Sequence, residues 1–461
     1  MAKLATITVP DFGADADAPE VPVSEYAARL DAISRRMAAE RLDVLVVYAD
    51  REHSANISYL TGFDPRFEEA LLIIDSAGAR HLMVGNECQG YLPDPILRCQ
   101  PILFQEFSLL GQPRASSRPL REILSGVGVG AGRRIGCVGW KYFDGPLVAG
   151  GALALDIPSY IADALRELVG GRERVVNATA ILMNPRDGMR VVNSAAQLAQ
   201  FEFASCRSSS SILAAVRGLA PGQRERETAR AFQTEGMPLS CHPMVSFGGK
   251  ASRGLSSPGN GSAVVGGAYT VALGVWGALN CRAGYLVADA SQLDPAIREF
   301  YPRFAANFFD VMVAWYESIR VGATGGEVFA AVDRVRDPTL YDFALNPGHY
   351  LHLDEWLHSP FVAGDRTVLP SGAAVQMDII PASRGPACGI NGEDGIALAD
   401  ATLRAELAAR YPSTWARIQK RRSFMTGTLG IRLDDSVLPL SNCPAWLPPY
   451  ALDPTRAFAK G

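Results

Sequence analysis

The most restrictive feature of this 461-residue chain is a pattern that occurs twice in its carboxyl-terminal part. Residues 194–217 carry Leu198, Phe201, Ile212, Leu213 and Val216 at helical spacing, and the periodicity stops at Leu219-Ala220-Pro221-Gly222. A second helical stretch follows over 224–234. Further along, a long apolar helix is predicted over 297–319. It stops at Arg320-Val321-Gly322-Ala323-Thr324-Gly325 and gives way to a short helix over 327–335. Each pair leads into apolar strands, 244–247 and 269–273 after the first, 373–380 and 395–399 after the second. Two helices and then strands, repeated, predict two related halves with a pocket between them.

The second half also concentrates the chemistry. Three of the six histidines fall in Gly348-His349-Tyr350-Leu351-His352-Leu353-Asp354-Glu355-Trp356-Leu357-His358. Two apolar runs follow, one holding Asp378 and the other opening with Glu393-Asp394. A carboxylate within an apolar strand is costly to desolvate unless it is paired, ligated or at work. As neighbouring strands, the three segments would bring imidazole and carboxylate together on one sheet face. On an extended strand, however, His352, Asp354, Trp356 and His358 share one face and His349 lies on the other. Only a bulge or turn lets them converge.

The amino-terminal part reads differently. Tyr26, Leu30, Ile33 and Met37 mark a helix over 24–41 that Ser24 can cap, and strands are predicted at 43–48, 70–75 and 81–85. A helix returns at 158–168, and this alternation predicts an α/β domain. The turn cluster Asn184-Pro185-Arg186-Asp187-Gly188 suggests domains at 1–185 and 186–461. Residues 11–22 read as an extended arm that could wrap a neighbour, and the Pro-rich tail past Pro444 as an ordered arm packing on the domain or a partner subunit.

Composition narrows the function. With 44 basic against 48 acidic residues, neither nucleic acid nor a membrane surface is an expected partner. No apolar run is long enough for a membrane span, and the start lacks the apolar core of a signal peptide. The eight cysteines occur without a CxxC pair, which suits reduced thiols in a cytoplasmic protein. Gly248-Gly249 and Gly325-Gly326 are turn signals, since no phosphate-loop Lys-Ser/Thr follows.

Ile57-Ser58-Tyr59-Leu60-Thr61-Gly62-Phe63, Met189-Arg190-Val191-Val192, Gly348-His349 and Glu393-Asp394, in that order, resemble the creatinase and aminopeptidase P superfamily. The resemblance implies an α+β architecture: an amino-terminal α/β domain and a carboxyl-terminal pita-bread domain with an internal pseudo-twofold. It also implies a homodimer in which the loop around Phe63 and Arg66 reaches the neighbouring active site. The metallopeptidase members hold two divalent ions with two Asp, one His and two Glu, as hard cations require. Here no acidic residue occurs between Glu235 and Asp289, where both Asp belong, while His349 and Glu393 remain and Asp378 replaces the first Glu. The dinuclear site is therefore expected to be absent. Creatinase, a relative without metal, uses an upstream histidine where this chain has Gly254 or Leu255.

The resemblance thus implies a metal-independent hydrolase cleaving a C–N bond (amide, amidine or guanidino) of a small polar molecule. His349, with His358, would transfer protons, and Asp378 and Glu393 would orient water or hold a cationic nitrogen. Arg66 and Arg282 would neutralise a substrate carboxylate, with Phe63, Trp276 and Trp356 as further pocket residues. Asp378 and Glu393 could instead be salt-bridged to Arg282 or Arg384. His352 reads as structural, Asp354 or Glu355 as orienting a histidine, and Cys281 as a possible nucleophile by location alone. Two alternatives stand: a peptidase or small-metabolite lyase with one metal on His349, Asp378 and Glu393, and a non-catalytic member that binds a ligand or partner.

Overall fold

The computed structural model describes residues 1–252, 254–387 and 389–461. The chain forms two compact units, Val21–Arg190 and the remainder, so the first twenty residues belong with the carboxyl-terminal unit.

The Val21–Arg190 unit is built on a six-stranded sheet in the spatial order Cys99–Leu103, Arg80–Val84, Ala70–Asp75, Val44–Ala49, Ile135–Val138, Val175–Asn177. Val44–Ala49 pairs antiparallel to Ala70–Asp75 and parallel to Ile135–Val138. All six of its residues are buried, and this explains a nearly continuous apolar run. Ile123, Leu124, Ile161 and Leu165 pack into the core with the sheet. The first helix runs Val23–Ala39 with Pro22 at the cap position, so Ser24 sits inside the first turn and does not cap it. Pro22 sets that start, with its φ of −61° and extended ψ delivering the chain into the helix.

The other unit carries the repeat. Its helices are Ala195–Arg217 and Glu225–Thr228, then Phe300–Ser318 and Gly325–Val335. The second helix of the first pair is shorter than its periodicity predicts, passing through a 3₁₀ turn at Ala229–Ala231 before the chain leaves it at Phe232. The joints between the helices match closely. Gly222 and Gly322 both adopt φ of 85°, a left-handed conformation that favours glycine. Their N–H groups donate to Ala263 O at 2.7 Å and Leu369 O at 3.0 Å. Bridges Arg224–Ser262 and Thr324–Val368 then repeat the same connection.

These halves share a seven-stranded sheet. In spatial order it runs His349–Tyr350, Ala374–Met377, Asn391–Leu398, Ala278–Tyr285, Ala268–Val275, Met244–Phe247, with Val437–Pro439 also paired to Asn391–Leu398. Pairing along this path is antiparallel. Arg456–Lys460 pairs with Ala2–Thr6, which ties the two ends of the chain together. Among the described residues no helix is long and apolar enough to cross a membrane.

The extended arm is held within the chain. Asp15 accepts two hydrogen bonds at 2.8 Å from Arg417, which also donates to buried Glu202 at 2.6 and 2.9 Å. Arg421 lies 2.6 Å from the same carboxylate. Burial alone would raise the Glu202 carboxyl, but Arg421 and Arg417 reverse this and hold it below the usual range. A depressed folded pKa adds stability above the unfolded value, and that contribution is lost as pH falls through the folded pKa. Glu202→Gln, which leaves two buried guanidinium groups underpaired, should therefore cost about 3–5 kcal/mol at pH 7 and progressively less below about pH 4. Chemical denaturation at both pH values checks this; equal midpoints for variant and wild type at pH 7 would refute it.

Candidate functional site

His349 is placed by a very short strand. It pairs with Gln376 and Tyr350 with Val375, and then the chain turns. Gly348 precedes it at φ 112°, where a Cβ would meet Gln376 O and the Trp315 indole nitrogen at 3.0 Å, so this position requires glycine. Tyr350 N donates to His358 O at 2.7 Å and Leu357 N to Tyr350 O at 2.9 Å. The segment from 350 to 358 thus folds back on itself, and strand alternation no longer applies. Glu355 and Trp356 return to His349 as a result. The Trp356 ring stacks on the imidazole at 4.2 Å, 21° from parallel.

Three groups converge there. His349 Nε2 lies 3.3 Å from Glu355 Oε1 and 3.6 Å from Asp378 Oδ2. One ligand atom from each of the three lies within 4.8 Å of the other two. His349 and Asp378 are buried, and Glu355 is partly open. The Nδ1 of His349 faces Tyr350 O at 3.1 Å, which favours the tautomer with Nε2 as the lone pair. Burial lowers the His349 pKa, yet hydrogen bonding and charge from Asp378 and Glu355 outweigh it and push the imidazole up to about 10. Burial raises Asp378 despite His349. Burial, with charge from Asp378 and Glu355, raises Glu393 well above the usual carboxylate range. Asn391 Nδ2 donates to Glu393 Oε1 at 2.6 Å. Three acids against one imidazole leave this place short of positive charge.

The donor set fits a divalent ion. Metal–ligand bonds of about 2.0–2.2 Å in a tetrahedral site put donor atoms roughly 3.3–3.6 Å apart. The two separations at Nε2 fall in this range. Asp378 Oδ1 and His349 Nε2 are, moreover, buried without a well-formed hydrogen bond. The expectation of a metal-independent site is overturned by this cluster. The candidate ligand group is His349, Glu355 and Asp378, with Glu393 lining the same cavity as a further acid.

The other expected residues distribute as follows. Glu355, Trp356, Asp378 and Glu393 line a cavity of about 540 Å³, together with Cys281. Burial and the charge of Glu393 raise the Cys281 thiol well above its usual range, which removes the thiolate that a nucleophile needs. Arg282, its neighbour, points to the opposite sheet face. Its guanidinium donates to Asp394 Oδ2 at 2.8 Å, Trp446 O at 2.6 Å and Glu393 O at 3.1 Å. Strand alternation is the reason, and it keeps Arg282 out of the substrate-carboxylate contact expected of it. Arg384 pairs with Asp342, not with the buried acids.

His358 and Trp276 are not among the described residues that line the cavity. Backbone groups of His358 pair with Tyr350, and Trp276 N donates to Pro238 O. His352 is buried with its ring edge-on to Phe201. Phe63 and Arg66 belong to the Val21–Arg190 unit, where Phe63 packs on Tyr91 and Arg66 lies 3.3 Å from Asp64. Sequence reasoning missed two residues. Glu355 was read only as an orienting group; its sole signal was a polar Asp354-Glu355 pair between Leu353 and Leu357, as a turn would show. His242, which lines the cavity with Nε2 2.7 Å from Leu255 O, had no local signal at all.

No family model and no curated protein matches this chain. Solved structures do. The dipeptidase PepE of Mycobacterium ulcerans superimposes with a TM-score of 0.62 at 18% identity, covering 82% of this chain and 95% of its own. The prolidase of Thermococcus sibiricus gives 0.61 at 13% identity over 92% and 97%. The prolidase of Pyrococcus horikoshii gives 0.60 at 15% identity over 81% and 95%. The chain has the fold of the creatinase and aminopeptidase P superfamily.

Since the imidazole is protonated near neutrality and must lose that proton to act as a ligand, metal binding should release roughly one proton per ion at pH 8. Affinity should fall as pH falls. Titration calorimetry of Zn²⁺ or Mn²⁺ into chelator-treated protein, in buffers of differing ionisation enthalpy, measures this; binding without proton release would contradict the assignment.

Proposed function

We propose that this chain is a hydrolase of amide C–N bonds that works with one divalent metal ion held by His349, Glu355 and Asp378. The observation that carries the reading is the approach of these three donors beside a cavity large enough for a metabolite. Several structures of the same fold bear the names dipeptidase, prolidase and aminopeptidase, and we extend their hydrolytic class to this chain. When bound, a divalent ion supplies polarisation of a carbonyl and a lowered pKa for water.

The chain's own residues would do the rest. Tyr350 O and the Trp356 ring fix the orientation and tautomer of His349. Glu393, held by Asn391, is the proton carrier. Burial, with charge from Asp378 and Glu355, raises its carboxyl and so favours the proton-holding form, and positive charge nearby would oppose that shift and ease release of the proton. Water oxygen adds to the amide carbon, the C–N bond breaks, and the departing nitrogen takes the proton of Glu393. The proton lost by water returns to Glu393, so the residue ends as it began. His349 is a ligand through Nε2 in this scheme, keeps its Nδ1 proton toward Tyr350 O and transfers none.

Glu393→Gln should lower kcat by about 10²- to 10⁴-fold with metal content unchanged, whereas His349→Ala should lose the metal together with the activity. Elemental analysis and hydrolysis of a dipeptide panel distinguish these outcomes. Full activity after exhaustive chelation would refute the proposal.

A further inference from the structure

The cavity beside the acids is mostly hydrocarbon. Met244, Leu279, Ile380 and Ile390 form part of its wall. Leu255 and Leu345 line it while 66% and 50% exposed, so they stand on its solvent side. Two large aliphatic side chains held in water at the mouth of an apolar cavity are what an apolar ligand would cover. The same cavity is lined by Glu355, Asp378 and Glu393, which favour an N–H donor or a cationic nitrogen and oppose a carboxylate. The volume of about 540 Å³ exceeds what a small polar molecule needs.

Resting on the hydrolase reading above, we infer that the substrate is an amide with an extended apolar body, its nitrogen directed to Glu393 and its hydrocarbon covered by Leu255 and Leu345. Apolar length would then set affinity, and a free carboxylate near the acids would lower it. The inferred substrate is amphipathic, where the sequence reading expected a small polar molecule.

The test is a binding measurement, independent of turnover. Chelator-treated full-length protein is titrated calorimetrically with butylamine, hexylamine and octylamine, and with hexanamide and hexanoate. Each added methylene should tighten binding about fourfold until the cavity is full. Hexanoate should bind at least about tenfold more weakly than hexanamide. Leu255→Ser and Leu345→Ser, at exposed positions that the fold tolerates, should weaken octylamine about three- to tenfold and leave butylamine little changed. Affinity independent of chain length, equal binding of hexanoate and hexanamide, or equal loss for both amines in the variants would overturn the inference. The two readings fail separately. A flat series in a protein whose hydrolysis is chelator-sensitive removes only the substrate class, and a rising series in a protein that binds no metal removes only the hydrolase mechanism.

Discussion

The buried ion pair between Arg282 and Asp394 sets the register on which the site depends. Glu393 and Asp394 are adjacent on the strand Asn391–Leu398, so they face opposite sides of the sheet. Asp394 accepts hydrogen bonds from Arg282, Ser441 Oγ, Asn280 Nδ2 and Ala445 N, and both members of the pair are fully buried. A slip of one residue would exchange the two acids between cavity and core and strand the guanidinium without its partner. Uncompensated burial of such a charge costs several kcal/mol, far more than the register could recover elsewhere. The pair therefore acts as a selector of one pairing, whatever its net contribution to stability.

With that register in place, the chemistry follows from proximity. Cys281 pairs with Glu393, and Met377 with Asp394, so the acid at 393 and the acid following Met377 both open toward the same cavity. The short strand at His349 ends after Tyr350, and the returning turn supplies Glu355. A longer strand would have carried Glu355 along the sheet and away from the imidazole. The end of regular structure is thus what completes the ligand set.

How far this could be read beforehand differs by residue. The repeat was legible, because helix periodicity and the stops at Pro221-Gly222 and Gly322 are local signals. Asp378 and Glu393 were legible too, as charges inside apolar runs. Arg282 misled because an arginine in a buried strand says that it has a partner without saying on which face. Glu355 was hidden because the sequence does not say where a turn after His349 would fall; the reversal is made by backbone hydrogen bonds between Tyr350 and residues 357 and 358, which leave no pattern in side-chain spacing. His242 and Leu255 meet through a loop closure, and contacts of that kind have no period to detect.

The two halves of the repeat contribute unequally, and this limits what the site can hold. The first half supplies apolar wall through Met244, Thr270 and Ala272, and its strands carry no acid. The second half supplies Glu355, Asp378 and Glu393. Two hard dications close together repel each other strongly, and only carboxylates arrayed on both sides of them can offset that repulsion. With all three acids drawn from the second half, the charge present suits a single ion.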